Sequence, residues 1–352
     1  MGPYDRAWLP QTPLPLAFRS AMRLPARLMI AALALTVAGS VGSCSAHAGL
    51  AYAGGSPRPP AGVAAAGSAA AAAASAHATA APAAPAGPHI VVTGAPRGVK
   101  AKAGILADAT TGQVLWSLGG NTERPIASIT KVMTALIVLR AGDLARPIKI
   151  PKSVIAYVTK YGANSAGLVP GQVLTAGQLV QALLLVSACD AAYTLATAYG
   201  PGLPAFIAKM NATAAQLGLT HTHFTSPDGL PYPTETSTYS TPAELLKLGE
   251  VAMQSATFRS IVAERFVNLP QGYGHGHYWW GNSNELIGYY PGAIGIKTGY
   301  TDAAGHCLLF EVVRGGRTLI GVVLGSPPTG PGAGAQDAAK VLNWGFSLKQ
   351  AT

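Results

Sequence analysis

The segment Ile126-Ala-Ser128-Ile-Thr-Lys131 begins a run that continues to Arg140 without glycine or proline, which predicts a buried helix. Ser128 and Lys131 lie three positions apart, so on a helix their side chains share one face. A serine hydroxyl is a weak nucleophile until a base takes its proton, and a buried amine with a lowered pKa can do this. N–H groups at a helix start can also stabilise an oxyanion. By itself, however, this pattern more often marks a helix cap beside a solvated lysine.

Both ends of the folded region carry strand signals. The apolar runs 103–108 and 113–118 surround Thr111-Gly112, and the runs 306–314 and 317–324 flank Gly315-Gly316. Each arrangement is typical of a β-hairpin. Helical patterns lie between the two hairpins, at 176–186, at 203–217 and after the capping box Thr241-Pro-Ala-Glu244, and a closing helix is predicted at 338–348. The order predicts an α+β fold, with an antiparallel sheet built from both chain ends, flanking helices and a helical subdomain.

Two further motifs accompany the serine–lysine pair. Gly295-Ile-Lys297-Thr298-Gly299 follows an apolar stretch, and on a strand it would present a cation, a hydroxyl and a residue without Cβ to an extended peptide that ends in a carboxylate. Ser187-Ala-Cys189 follows the helical pattern that begins at residue 176, and its serine could pass a proton to a leaving group. The three motifs in this order match penicillin-binding proteins and class A β-lactamases, except that Cys189 stands where Asn is usual.

The chain resembles the low-molecular-mass D-alanyl-D-alanine carboxypeptidases and transpeptidases over nearly all of residues 100–350. A single-domain DD-transpeptidase subgroup that also has Cys in the second motif is especially similar. The segments that carry the resemblance, beyond the three motifs, are Asp108-Ala-Thr-Thr-Gly-Gln113, His223-Phe-Thr-Ser-Pro-Asp-Gly-Leu230, Tyr239-Ser-Thr-Pro242, Lys297-Thr-Gly-Tyr-Thr-Asp302 and Ser187-Ala-Cys-Asp-Ala-Ala-Tyr193. The resemblance implies the serine β-lactamase/penicillin-binding-protein fold and a serine-type enzyme that acts on peptidoglycan peptides ending in D-Ala-D-Ala.

The resemblance also implies a role for each site residue. Ser128 would be the nucleophile, Lys131 the base for acylation and Ser187 an aid to proton transfer. Lys297 and Thr298, followed by Gly299, would hold the terminal carboxylate of the substrate. The backbone N–H groups of Ser128 and Tyr300 would form the oxyanion hole. β-Lactams would be covalent inhibitors, and neither a metal nor an organic cofactor is implied.

Cys189 is expected to change substrate positioning or deacylation rather than to remove the nucleophile, since a thiol offers weaker hydrogen bonds than an amide. The choice between water and an amine as acceptor, hence between carboxypeptidase and transpeptidase, stays open. A β-lactamase is a further alternative, although no glutamate motif for a deacylating water is found. A catalytically impaired peptidoglycan-binding protein is another, and Cys189 is its only support.

The first 97 residues predict export rather than a core. Three arginines precede the uncharged apolar run 28–41, which resembles an export signal within residues 1–48. Cleavage after Ala46-His-Ala48 and lipidation of Cys44 in Val41-Gly-Ser-Cys44 are both open. Residues 49–97, rich in Ala, Pro and Gly, predict a disordered tether ahead of a catalytic domain at 98–352. The protein is therefore expected outside the cytoplasm, with membrane attachment only through this N-terminal signal or a lipid anchor.

Charge and composition argue against a nucleic-acid-binding protein and against a metal site. The net charge is +10, but residues 1–97 contain six arginines and one aspartate, which leaves +5 on the remainder. No dense basic run of the kind that binds nucleic acid is found. His275-Gly-His277 lacks neighbouring acidic or cysteine residues at ligand spacing, so no metal site is predicted there.

Overall fold

The computed structural model describes residues 89–328, 330 and 332–350. The predicted export signal, its two processing sites at Ala48 and Cys44, and most of the tether lie outside these residues. Residues 89–97, which we assigned to the tether, contact the catalytic domain: Ile90 is buried and pairs with Gln350, and Trp344 Nε1 donates to the carbonyl of Thr93 at 3.2 Å. Contacts with the domain therefore begin before the boundary that we predicted at residue 98.

A five-stranded antiparallel sheet joins the two ends of the chain, in the order β2-β1-β11-β10-β9. Both predicted hairpins are confirmed, as β1–β2 and as β10–β11 around Gly315 and Gly316. Three two-stranded ribbons, β3–β6, β4–β5 and β7–β8, lie outside the main sheet. The strands are β1 Ala103–Asp108, β2 Val114–Leu118, β3 Arg124–Pro125, β4 Pro147–Lys149, β5 Val173–Thr175, β6 Tyr239–Ser240, β7 Phe266–Leu269, β8 Tyr278–Gly281, β9 Ala293–Thr301, β10 Gly305–Arg314 and β11 Arg317–Ser326.

Helices cover both faces of this sheet, which explains why β10 and β11 are continuous apolar runs rather than alternating ones. Gly249 of α6 lies against Leu309, and Gly345 of α8 lies against Leu319 on the opposite face. The helices are α1 Lys131–Ala141, α2 Ser153–Tyr161, α3 Ala176–Leu185, α4 Cys189–Tyr199, α5 Leu203–Gln216, α6 Pro242–Met253, α7 Ala256–Ala263 and α8 Ala333–Ser347. The α+β fold predicted from the sequence is confirmed. Among the described residues, none of the helices combines the length and the apolarity that a bilayer crossing needs.

The helices differ from the sequence predictions mainly at their ends. The run that starts at Ser128 forms a 3₁₀ turn, Ala127–Thr130, before α1 begins at Lys131. The predicted capping box is half formed, because Thr241 accepts from the backbone N–H of Glu244 while the Glu244 carboxylate binds Thr222 and the N–H of His221. α8 begins at residue 333, five residues before the predicted start.

Helix α1 is the centre of the packing. All residues from Lys131 to Val138 are buried, so the helix has no solvent-facing stripe. It contacts α3, α4, α5 and α6, and its C-terminus is closed by Gly142 in a left-handed conformation, a common helix ending. Lys131 is therefore carried into the core by the packing of its own helix.

Asp190 at the start of α4 holds the loop that crosses the helical subdomain. Its carboxylate accepts hydrogen bonds from the Ser165 hydroxyl at 2.6 Å and from the N–H groups of Ala166 and Leu168 at 3.0 to 3.1 Å. It also accepts from the N–H of Ala191. The side chain is 1% exposed, so these donors have little access to water as a substitute. These contacts give Asp190 a structural role in this loop.

Asp190→Ala should lower the free energy of unfolding by about 3 kcal/mol, because it leaves several buried donors without an acceptor. The measurement is urea unfolding followed by circular dichroism. The exposed carboxylate of Glu235 provides the control, and Glu235→Ala should change stability by less than about 0.5 kcal/mol. Equal stability of the two variants would contradict the structural role of Asp190.

Candidate active site

Ser128 lies in the tight turn that precedes α1. Ala127 adopts a positive φ of 47°, and its carbonyl accepts a hydrogen bond from Thr130 Oγ1 at 2.8 Å. Gly229 packs against the same carbonyl so closely that a Cβ atom there would lie 1.9 Å from the Ala127 oxygen. The turn is thus clamped from two sides, which fixes the direction of the Ser128 side chain.

Lys131 is fully buried, and its amine has three neighbours. Its Nζ lies 2.8 Å from Ser128 Oγ, 2.8 Å from the backbone carbonyl oxygen of Asp228 and 3.5 Å from Cys189 Sγ. The serine–lysine contact expected from the spacing is therefore present. Because the Asp228 carbonyl and the serine oxygen both face the amine, Lys131 has little freedom to turn away from Ser128.

Cys189 is the first residue of α4 and is 3% exposed. Burial raises the pKa of its thiol to about 12, with the carboxylate of Asp228 acting in the same direction and Lys131 opposing it. The thiol is consequently protonated at neutral pH. In this form its sulfur offers Lys131 only a weak hydrogen-bond acceptor. Cys189 and Cys307 are both free, and both are buried.

Lys297 is carried by β9 and is 1% exposed. Its amine donates to the carbonyl of Thr298 at 3.0 Å and to Thr298 Oγ1 at 3.2 Å. Burial, together with the nearby charge of Lys131, lowers the pKa of Lys297 well below its usual value. Since β9 also approaches the backbone of Ser128 at Gly299, the strand and α1 bring two buried amines to one site.

Gly299 and Tyr300 complete β9 beside the Ser128 turn. A Cβ atom on Gly299 would lie 3.1 Å from the backbone nitrogen of Ser128 and 3.0 Å from the carbonyl oxygen of Ile126. These distances are shorter than ordinary Cβ contacts, so any side chain here would push the strand and the turn apart. Tyr300 follows with an exposed ring, which packs against His306 at 4.6 Å between centroids, and its hydroxyl donates to Asp302. The strand therefore passes directly alongside the Ser128 turn.

Ser187 joins the helices α3 and α4. It adopts a positive φ of 59° and is 9% exposed. Within residues 89–350, as far as the structure describes them, no hydrogen bond links its hydroxyl to Ser128 or Lys131. The help in passing a proton to a leaving group that the sequence suggested for Ser187 therefore stays a prediction.

The sequence did not assign roles to three residues that the structure places at the site. Asp228 accepts from Lys131 through its backbone, and its carboxylate accepts a hydrogen bond from Tyr157 Oη at 2.8 Å. Burial and the Asp228 carboxylate raise the pKa of Tyr157, so the phenol keeps its proton and acts as the donor. Ser283 Oγ lies 2.9 Å from Thr298 Oγ1. Of these, only Asp228 lay in a segment that resembled the family.

A buried lysine in contact with a serine, beside a strand that carries a second lysine and a glycine, is the arrangement that serine acyl transfer with a lysine base requires. The comparisons with known proteins agree with this class. The D-alanyl-D-alanine carboxypeptidase family model matches residues 90–328. The D-alanyl-D-alanine carboxypeptidase of Streptomyces sp. strain K15 is 39% identical over 262 residues, which cover 71% of this chain and 88% of that protein.

Two further similarities extend this result. DacB2, a D-alanyl-D-alanine carboxypeptidase of Mycobacterium tuberculosis, is 41% identical over 251 residues, covering 70% of this chain and 83% of the relative. The crystal structure of the Streptomyces K15 DD-transpeptidase matches with a TM-score of 0.68 at 38% identity, and the match covers 73% of this chain and 100% of that one. The chain belongs to the D-alanyl-D-alanine carboxypeptidase family of serine peptidases, and it has the penicillin-binding-protein fold.

Lys297→Met should raise the free energy of unfolding at pH 7 by about 2 kcal/mol, because an apolar side chain of similar length replaces a buried cation. The lowered pKa means that the folded protein binds this proton less readily than the unfolded chain does. The destabilisation of the folded state by Lys297 is therefore largest at low pH. It decreases as the pH rises toward the unfolded-state pKa of about 10.4. Urea unfolding at pH 7 and at pH 9.5 should show the gain shrinking at the higher pH.

The control for this measurement is Lys247→Met on the exposed face of α6, which should change stability little at either pH. A loss of stability in Lys297→Met at pH 7, or a gain that increases with pH, would contradict this account, in which burial of the charged Lys297 amine destabilises the fold.

Proposed function

We propose that this protein cleaves D-alanyl-D-alanine peptides through an acyl-Ser128 intermediate. The observation that carries the proposal is the contact between Ser128 Oγ and the buried Lys131 amine at 2.8 Å, with that amine held from the other side by the Asp228 carbonyl. A lysine held in this way and deprotonated can accept the serine proton as the hydroxyl attacks.

The acylation step follows from this geometry. Ser128 Oγ attacks the carbonyl carbon between the two D-alanines while its proton passes to Lys131. The oxyanion then lies against the N–H groups of Ser128 and Tyr300, which the close approach of Gly299 brings together. As the C–N bond breaks, the leaving amine takes a proton from Lys131, directly or with the help of the Ser187 hydroxyl. The products are free D-alanine and the acyl-serine ester.

Substrate binding is assigned to β9. A peptide that ends in a carboxylate would find the Thr298 hydroxyl at the strand, with the Lys297 amine 3.2 Å from that hydroxyl. Because the amine is buried and near a second cation, an arriving carboxylate would lower the cost of keeping Lys297 charged. Peptidoglycan stem peptides have this terminus, and β-lactams are proposed to acylate the same serine.

The choice of acceptor determines which activity follows. Water releases the acyl group as a carboxypeptidase product, whereas an amine of a second stem peptide gives a cross-link. The thiol of Cys189 lies at hydrogen-bonding distance from Lys131, where an amide would be a stronger partner, so slow deacylation by water is expected. This favours transpeptidation beside a weaker hydrolytic activity. The enzyme is proposed to act outside the cytoplasm, after export through its N-terminal signal.

The experiment incubates the full chain with a fluorescent penicillin, then digests it and locates the adduct by mass spectrometry. The adduct should lie on Ser128, persist for many minutes and be absent in Ser128→Ala. Rapid turnover of a chromogenic β-lactam would instead indicate a β-lactamase. Folded protein without any adduct would indicate a peptidoglycan-binding protein with an impaired site, and would contradict the proposal.

Tyr157 is proposed as a positioning residue, because its hydroxyl fixes the carboxylate of Asp228, whose carbonyl holds Lys131. Tyr157→Phe should slow the first-order acylation step about fivefold, the equivalent of about 1 kcal/mol for one hydrogen bond, with little change in the initial binding of penicillin. Stopped-flow acylation kinetics separate the two constants. Tyr161→Phe is the matched control, since Tyr161 packs on the Tyr157 ring at 5.1 Å without contacting Asp228 through a hydrogen bond. Equal rates for both variants would contradict this role.

A further inference from the structure

The hairpin formed by β7 and β8 carries two exposed aromatic rings on its outer face. Phe266 is 56% exposed and Trp279 is 62% exposed, and their rings are nearly parallel, with centroids 6.0 Å apart and an angle of 21° between planes. We call this pair the aromatic platform. The two rings stack on one another, and large aromatic side chains that stay exposed together mark a candidate binding site.

The opposite face of the hairpin is fixed to the catalytic domain. Trp280 is buried and donates from its indole nitrogen to the carbonyl of Ala166 at 3.2 Å. The buried Tyr278 bonds Gln172, and the loop between the strands accepts a hydrogen bond at Gly274 from the N–H of Val173 at 2.8 Å. The platform is therefore held in place before any ligand arrives, which reduces the entropy that binding would cost.

Gly281 allows the Trp279 ring to lie flat on the hairpin. A Cβ atom at Gly281 would lie 3.2 to 3.3 Å from two atoms of the indole, so the ring rests on the backbone of this glycine. The hairpin backbone and the stacked Phe266 ring thus support the indole, and with 62% of the residue exposed much of its surface stays accessible to a ring-shaped ligand.

The polar groups around the platform favour a carbohydrate over a membrane. Residues 266–281 contain no Lys, Arg, Asp or Glu, and the exposed Arg265 that precedes them extends its side chain toward Gly288. Surfaces that bind anionic lipid usually surround their aromatic residues with basic side chains. Here Asn268, opposite Trp279 on the neighbouring strand, lies 2.6 Å from His277, so hydrogen-bonding groups border the rings. Flat apolar faces bordered by neutral donors and acceptors complement a pyranose ring, which has C–H groups on its faces and hydroxyls around its edge.

The platform lies within a short chain distance of the proposed carboxylate site. Ser283 follows β8 by two residues, and its hydroxyl lies 2.9 Å from Thr298 Oγ1. Trp279 lies four positions before Ser283, a stretch that spans at most about 14 Å of extended chain. A peptide of about four residues has the same reach. A peptide bound at Thr298 can therefore still be attached to a sugar that lies on the platform.

We propose that the aromatic platform binds the glycan strand to which the substrate peptide is attached, by stacking of Phe266 and Trp279 on pyranose faces. This inference rests on the proposed function for its choice of glycan. It implies that the enzyme recognises polymeric wall material through two contacts, one at the peptide carboxylate and one at the sugar.

The test measures binding of the full chain to insoluble peptidoglycan glycan strands from which an amidase has removed all peptides. Because this probe contains no D-alanine, the result does not depend on the active site, and Ser128→Ala should bind as the unaltered chain does. Trp279→Ala should weaken binding at least about fivefold, as expected for the loss of one stacked ring, and Trp279→Phe should retain most of it. Thermal unfolding of each variant reports its folding.

Tyr289→Ala is the matched control, since Tyr289 is an exposed aromatic residue, 68% exposed, outside the hairpin. It should bind the glycan as the unaltered chain does. Glycan binding that is the same in folded Trp279→Ala would overturn the proposal. So would Trp279-dependent binding to vesicles of phosphatidylglycerol and phosphatidylethanolamine without glycan binding, which would assign the platform to a membrane. If glycan binding depends on Trp279 while penicillin fails to label Ser128, the inference stands and the proposed catalytic function fails.

Discussion

The rest of the structure depends on the burial of the Lys131 amine beside Ser128. A buried amine serves as a base most readily when no carboxylate binds it directly, because an ion pair would keep the amine charged. Here a backbone carbonyl, that of Asp228, and a weakly bonding thiol, that of Cys189, are its neighbours besides the serine. Lys297 adds a second buried amine nearby, and burial together with the charge of Lys131 lowers the pKa of Lys297. The site is therefore held ready for a negatively charged substrate terminus.

The fold supplies this environment from three separate parts of the chain. Helix α1 is buried on all sides from Lys131 to Val138, so its packing carries Lys131 inward. The segment around Gly229 closes on the Ser128 turn, and β9 passes on the other side, where Gly299 permits close approach. The antiparallel sheet, built from both ends of the chain, supports β9 through β10 and β11. The site lowers the stability of the fold, since two buried amines occupy positions where apolar side chains would be more stabilising.

Much of this was predictable from sequence because the signals are local. The hairpins were predictable from paired apolar runs around glycines. The contact between Ser128 and Lys131 was predictable from their helical spacing. What escaped prediction depends on contacts between residues that are not neighbours in the chain. Tyr157 and Asp228 are 71 positions apart. Ser283, in the loop after β8, contacts Thr298 of β9, which is 15 positions away. The contacts of Ile90 and Thr93 escaped for another reason, since an Ala/Pro/Gly-rich segment carries few apolar residues that would mark where packing begins.

The central claim is that Lys131 takes the proton of Ser128. The most direct measurement is the acylation rate of Lys131→Arg by penicillin between pH 6 and pH 10, compared with the unaltered chain. A guanidinium keeps the positive charge and the hydrogen-bonding capacity but does not lose its proton in this range. The account predicts that acylation falls at least about a thousandfold at every pH, with folding intact. A variant that retained a tenth or more of the original rate would show that the charge, rather than proton transfer, is what Lys131 contributes.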